Sequence, residues 1–233
     1  MSDGSNICLL IPAFNVEKYL PQLLDEALKH FNAQNILVVN DGSSDDTGKV
    51  AKSYDIELTN HEKNLGKGAA LKSGFDYLIS RDADWIITID GDMQHDPALL
   101  PQFISYAEQG GCDLVIGSRK RNSSDMPWDR KFSNWSTSTL MSLITGENIR
   151  DGQCGYRLLR CSRLAGLRFD TNGYEFETEC LLKMVHAGAK ISWIDIPTQY
   201  SGAPSSIRRL RDIVRFLKVI VKFIVERRKL QHG

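Results

Sequence analysis

Short apolar runs alternate along this chain with longer stretches whose apolar residues recur at helical spacing, and few folds accommodate that rhythm. Residues 7–11 form the first run, which ends in Pro12-Ala13-Phe14-Asn15; Tyr19, Leu20, Leu23, Leu24, Ala27 and Leu28 then follow on one helical face. Residues 36–39 form a second run, ending in the turn-rich NDGSSD patch, which can cap a helix over 47–54. A weaker strand at 56–59 leads through NLGKG to a helix over 69–79. The runs at 85–89 and 113–117, with a helix opened by Asp96-Pro97 between them, complete the series. Such alternation predicts an α/β fold, Rossmann-like, with a mostly parallel sheet and helices on both faces. Ligands of these sheets sit beyond the carboxyl ends of the strands, and the polar residues after Ile11, Val39, Ile89 and Gly117 all fall at that edge.

The chemistry concentrates in WIITIDGDMQHDP, residues 85–97. A buried strand stops abruptly at Asp90-Gly91-Asp92, and two carboxylates that straddle a glycine can face one point in space. Such a pair repels itself unless a cation sits between. Hard oxygen ligands favour Mg²⁺ or Mn²⁺, which bind phosphate oxygens in turn, so the expected visitor is a diphosphate that arrives with its metal. Gln94 offers a further oxygen. An ordinary Asp-rich turn is the bland alternative, and a bare Asp-x-Asp alone does not exclude it.

With 233 residues, 42% hydrophobic and 25% charged, the chain can bury a full core as one domain. Lys+Arg and Asp+Glu both number 29, so no global charge points to nucleic acid. The five cysteines, Cys8, Cys112, Cys154, Cys161 and Cys180, are scattered and lack a CxxC spacing, as expected for reduced thiols in a cytosolic protein. The first residues lack the basic stretch of a signal peptide, and no segment is long and uncharged enough to span a bilayer.

The charge is unevenly placed. Over residues 207–230, nine Lys/Arg stand against Asp212 and Glu226. Leu210, Ile213, Val214, Leu217, Ile220, Val221 and Ile224 recur along one helical face, while Arg208, Arg211, Arg215, Lys218 and Lys222 form a stripe on another. A basic amphipathic helix of this kind binds in the plane of an anionic membrane surface, or else packs on the sheet or on a second subunit of a homo-oligomer. The expected division is a domain over 1–206 followed by this helix over 207–233. A second, weaker interfacial helix over 132–144 carries Trp135, Leu140, Leu143 and Ile144.

PAFNVEKYL, VVNDGSSDDT, NLGKGAALKSG, DGDMQHDP and DGQCGYRLL occur in this order, and together they make the chain resemble glycosyltransferase family 2 over roughly residues 7 to 200. The DGDMQHDP, NLGKGAAL and DGQCGYRLL segments are most similar to its dolichol-phosphate and polyprenyl-phosphate branch. The resemblance implies a GT-A fold and inverting transfer of a sugar from a UDP- or GDP-sugar. It implies that Pro12, Ala13, Phe14 and Glu17 line the nucleoside and that Asp41 accepts a hydrogen bond from a base N–H; the alternative for Asp41 is to shape a turn. Lys67 is a candidate diphosphate contact or a solvated side chain. Asp90, beside Gly91, would touch ribose or metal, and Asp92 and Gln94 would hold the metal, Mg²⁺ or Mn²⁺, on the diphosphate.

Arginine forks fit phosphate in a two-point contact, so Arg119, after a strand end, and Arg130, at the start of a helix, are candidates for holding the acceptor phosphate or the diphosphate. A polyprenyl phosphate is already an anion and attacks unaided, whereas a sugar hydroxyl needs a base. Among Glu175, Glu177 and Glu179, at the start of a predicted helix, Glu175 and Glu179 would share a face. Either one of them, Glu175 first, is a base, or they serve the helix dipole. The expected activity is transfer to a lipid phosphate at the cytoplasmic membrane face. Rival readings are a saccharide acceptor with a Glu base, a nucleotidyltransferase, and a nucleotide-sugar binding protein without turnover. A nucleotidyltransferase would place a Gly-rich, Arg-bearing loop after the first strand, where Pro12-Ala13-Phe14-Asn15 stands.

Overall fold

A computed structural model describes residues 5–119, 128–197 and 209–231 and, within them, all side chains except those of 128–134, 209–212 and 228–231. The order is β1 (Ile7–Ala13), α1 (Leu20–Ala27), β2 (Ile36–Asn40), α2 (Thr47–Lys52), β3 (Glu57–Asn60), α3 (Lys67–Ile79), β4 (Trp85–Thr88), α4 (Leu100–Gln109) and β5 (Leu114–Arg119). It continues with α5 (Trp128–Thr145), β6 (Arg157–Arg160), α6 (Cys161–Leu164), α7 (Phe176–His186), β7 (Ile191–Ile196) and α8 (Arg209–Gln231). A 3₁₀ turn, Pro97–Leu99, precedes α4, and the Asp96 carboxylate caps it by accepting from Ala98 N.

The seven strands form one sheet in the order β3-β2-β1-β4-β6-β5-β7. Only β6 is antiparallel to its neighbours, so the sheet is mostly parallel, as the alternation predicts. Every residue of β2 and β4 is buried. Because successive strand residues point to opposite faces, both faces of the sheet are covered there, which is why these strands read as unbroken apolar runs. Phe103 stacks on Tyr156 with 4.1 Å between centroids, and Phe75, Phe169 and Phe176 cluster under α7.

The chain leaves β1 toward β2 and β3 on one side and toward β4 on the other. Between β1 and β4 the strand order therefore reverses, and the loops after Ala13 and Thr88 open a crevice there. The antiparallel β6 begins at this same edge. Its lead-in, residues 151–156, is consequently carried to the carboxyl ends of β4 and β5. The strands β6 and β7 are absent from the sequence expectation, being short and irregularly patterned.

Candidate active site

Two loops make the first wall. Glu17 Oε2 accepts from Asp46 N, Asp45 accepts from Glu17 N and from Thr47, and Asn15 Oδ1 accepts from Ser44 N, at 2.8 to 3.1 Å in the backbone cases. Asn15 adopts a positive φ of 54°, a conformation that asparagine tolerates better than most residues. Phe14 stands at the end of this knit with 46% of its surface exposed, an aromatic face open at the ligand edge. Glu17 thus braces the two loops together, a contact the sequence does not reveal.

Asp41 is buried. Its Oδ1 accepts from Leu65 N at 2.9 Å and lies 2.6 Å from His61 Nδ1, and Oδ2 accepts from Gly66 N at 2.8 Å. The carboxylate therefore shapes the turn that carries residues 61–66 toward α3, with lone-pair capacity left on Oδ2. Gly66, at φ +103°, permits the turn into α3.

At the centre stands Lys67. Its ammonium lies 2.6 Å from Asp90 Oδ1 and 2.5 Å from Glu177 Oε1. Burial works against the charged form, but Asp90 and Glu177 outweigh it and raise the Lys67 pKa. Burial likewise works to raise the pKa of Asp90, and Lys67 is the main group that overcomes it and holds that carboxyl below its usual value. Asp92 behaves oppositely: burial, and then the like charge of Asp90, push its carboxyl up. Its Oδ1 accepts from Gln94 N at 3.0 Å, and the Gln94 side chain lies at the exposed lip. His95, pushed down to about 4 by burial, is a neutral imidazole, 3.9 Å from Asp90 Oδ2.

Asp90 and Glu177 thus share one ammonium and Asp92 adds a third carboxylate beside Asp90, so acids outnumber the Lys67 charge by two. A divalent ion cancels that excess, and hard carboxylate oxygens suit Mg²⁺ or Mn²⁺, so the donor set fits such an ion. Among the described residues no group of three or more His, Cys, Asp or Glu side chains is arranged as a ready metal cage.

The lead-in to β6 closes the site from the side. Thr88 Oγ1 donates to Gly155 O at 2.7 Å, and a Cβ on Gly155 would meet Lys67 Nζ at 2.7 Å and Asp90 Oδ2 at 2.8 Å. Any larger residue at 155 would shift that pair. Arg119 grips the fully buried Asp151 through Nε at 2.6 Å and Nη2 at 3.0 Å, and its charge is felt at Asp90. Arg157, itself buried, donates to three carbonyls: Cys154 O and Glu177 O at 2.7 Å and Gly152 O at 2.8 Å. It pins the 151–156 loop to α7.

Of the sequence-derived residues, Phe14, Glu17, Asp41, Lys67, Asp90, Asp92, Gln94 and Arg119 stand at the carboxyl edge of the sheet, and several details differ from the expectation. Lys67, expected on the diphosphate or in solvent, is engaged by two acids. Glu177, set apart from its neighbours by helical spacing, is the acid of α7 that reaches the centre, because Glu175 is the N-cap and lies outside the helix. Glu175 faces Arg215 of α8 at 3.9 Å, and Glu179 is spent on Lys183, Thr171 and the backbone of Asp170. The side chain of Arg130 lies outside the described residues. Arg157 and Gly155, both inside the DGQCGYRLL motif, carry contacts that their spacing does not disclose.

The helix α8 also differs from expectation. Phe216, Val219, Ile220 and Phe223 are the face it buries, with Phe223 edge-on to His186 of α7. Ile213, Val214, Leu217, Val221 and Val225 stay exposed. Ile220, grouped with the latter from its spacing, belongs to the packed face. Of the other candidate interfacial helix, Trp135 and Leu143 are exposed, while Leu140 and Ile144 lean on the core. No helix among the described residues is long and apolar enough to cross a membrane. The five cysteines are all free and buried.

The family model for glycosyl transferase family 2 matches residues 8–167. An uncharacterized protein of Methanocaldococcus jannaschii is 32% identical over 228 residues, which cover 92% of this chain and 97% of that one. The undecaprenyl-phosphate mannosyltransferase of Micrococcus luteus is 27% identical over 205 residues, 83% of either chain. Among solved structures, glucosyl-3-phosphoglycerate synthase from Mycobacterium tuberculosis, in complex with Mn²⁺ and UDP-glucose, superposes with a TM-score of 0.74 at 19% identity, over 96% of this chain and 79% of that one. At that identity the likeness concerns the fold, which is that of the GT-A glycosyltransferases.

Proposed function

This chain belongs to glycosyltransferase family 2 and is a glycosyltransferase, and from that premise we propose that it moves a sugar, with inversion, from a UDP- or GDP-sugar to a polyprenyl- or dolichyl-type lipid phosphate at the cytoplasmic membrane face. One observation carries the proposal: a centre where acids outnumber the Lys67 charge lies at the crevice where the strand order reverses, beside Arg119, which Asp151 holds in place through Nε and Nη2 and whose charge is felt at Asp90. An acid centre alone would suit a donor with its metal. A fixed arginine beside it suits a second anion, the acceptor phosphate.

In this reading Phe14 packs on the base or ribose, with Pro12, Ala13 and Glu17 shaping that wall, and Asp41 uses its remaining lone pair on a base N–H. Asp90, Asp92 and Gln94 would hold the divalent ion, which would neutralise charge on the departing nucleoside diphosphate. Arg119, held by Asp151, aims the acceptor phosphate at the sugar C1 from the side opposite the diphosphate. An acceptor oxygen forms the new C1–O bond, the old C1–O bond breaks, and its electron pair leaves on the nucleoside diphosphate. The acceptor is already ionised, so no proton has to move. The exposed apolar stripe of α8, flanked by Arg215, Lys218 and Lys222, supports a seat on the membrane surface.

The test is incubation of the purified protein with radiolabelled UDP- and GDP-sugars and Mn²⁺, with and without a polyprenyl phosphate. Label should enter the organic phase only with the lipid phosphate, and Asp92→Asn should lower the rate by at least about a hundredfold. Label that passes instead to a saccharide would make the acceptor a hydroxyl and overturn this reading.

A further inference from the structure

A cation that sits where a metal ligand is needed calls for an explanation. Lys67 occupies Oδ1 of Asp90, the same carboxylate that a divalent ion would bind. Gly155 packs closely on this pair: a Cβ there would stand 2.8 Å from Asp90 Oδ2 and 2.7 Å from Lys67 Nζ. Glu177 holds the ammonium from the other side, so its carboxylate stands within about 5 Å of Asp90, too close for two unshielded buried acids. Glu177 is nearly fully buried, and its second oxygen, Oε2, has no hydrogen-bond partner. Its ion pair is with Lys67. Lys67 is the first residue of α3, and its long side chain carries the ammonium to these acids from a backbone fixed by the helix.

We propose that Lys67 is a resident counter-ion that occupies the metal carboxylates of the donor-free enzyme and transfers to the diphosphate when donor and metal arrive, with Glu177 as the positioning residue that holds it in the waiting place. This rests on the metal-dependent donor reading above. Its consequence is thermodynamic coupling. Metal alone must displace a paired ammonium and binds weakly; the diphosphate gives that ammonium a new partner, so nucleotide and metal each strengthen the binding of the other. A free enzyme so built does not collect metal ions without substrate.

Removing Lys67 alone would raise the affinity for a cation through net charge, whatever its position. The double variant Lys67→Met/Glu177→Gln removes one charge of each sign and leaves the local balance unchanged, so it isolates occupancy of Asp90. Mn²⁺ binding is read by electron paramagnetic resonance of the free ion, titrated with and without UDP or GDP. The wild type should bind Mn²⁺ weakly alone and more tightly with one nucleotide. In the folded double variant the nucleotide-free Kd should fall at least about tenfold, and the tightening by nucleotide should shrink in proportion. An unchanged nucleotide-free Kd overturns the inference. Should the double variant not fold by circular dichroism, Lys67→Gln/Glu177→Gln, which keeps a hydrogen-bond donor beside Asp90 and leaves the local charge balance unchanged, carries the same expectation and the same failure. A wild type that binds no Mn²⁺ with either nucleotide would sink the donor reading itself, a result distinct from an unaltered variant.

Discussion

The contacts around Asp90 are set by residues whose side chains do no chemistry. Gly155 is the sharpest case: its missing Cβ is the space in which Lys67 and Asp90 meet. Gly155→Ala should displace that pair and lower turnover by about a hundredfold, since small misplacements at a reacting centre are costly. Thermal unfolding of the same variant should change far less. Arg157 is the opposite case, a buried cation whose partners are three carbonyl oxygens. Arg157→Met would strand those acceptors and release the 151–156 loop from α7, and should cost about 2 to 5 kcal/mol in denaturant unfolding. Arg157→Lys should recover only part of that, because an ammonium lacks the planar fork that reaches three carbonyls. Asp90, Asp92 and Asp41 were legible in the sequence because each ends a strand, and strand ends can be read from apolar runs. The meeting of Lys67 with Glu177 was not, since it joins the first turns of two helices more than a hundred residues apart, and no local spacing encodes it.

Among the elements, the parallel core was readable and the return strand was not. β2 and β4 are buried on both faces and announce themselves as apolar runs, whereas β6 is only Arg157–Arg160, begins and ends in arginine, and runs antiparallel. Its identity depends on its neighbours β4 and β5. The pair α7 and α8 likewise could be read one at a time but not together. They run alongside one another, with Arg215 facing Glu175 at one end and Phe223 against His186 at the other. Asp170, just before α7, fastens them through Lys222 at 2.9 Å and Lys183 at 3.2 Å. The hydrogen bond from Lys222 is the largest influence on the Asp170 carboxyl, and with Lys183 it brings the pKa down to about 2. A depressed folded-state pKa contributes stability that is present above the unfolded carboxylate value and is lost as pH falls through the folded one. The fastening should therefore hold at neutral pH and fail between about pH 4 and pH 2. Asp170 is about half exposed, so its contribution is under about 1 kcal/mol after solvent screening. Asp170→Asn should raise hydrogen exchange along α8 at neutral pH and leave the exchange of β1 and β2 unchanged. Equal exchange in both proteins would show that apolar packing alone secures α8.

At the scale of the molecule, α8 divides into three sectors. At about 100° per residue, Phe216, Val219, Ile220 and Phe223 lie on the sector packed inward, Ile213, Leu217, Val221 and Val225 on a second that faces outward, and Arg215, Lys218 and Lys222 on a third beside it. A helix that only buttressed the domain would need the first sector and could leave the rest polar. Residues 207–230 carry seven net positive charges, and that excess beside open apolar side chains matches an anionic lipid surface, where apolar insertion and charge attraction act together. The contact of Arg215 with Glu175 sets the amino end of α8 beside the start of α7, where Glu177 enters the active centre. Leu217→Asp/Val221→Asp should abolish cosedimentation with vesicles of mixed neutral and anionic lipid. Because both residues are exposed, the thermal midpoint should stay near that of the wild type, and transfer to a short, water-soluble prenyl phosphate should persist while transfer to a long-chain one falls. Binding of the wild type should also weaken as salt is raised through the range in which the Debye length shrinks below about 10 Å. If the double variant instead unfolds at a lower temperature or changes its mass in solution, the outward sector is an interface between copies of this chain, and the membrane assignment fails.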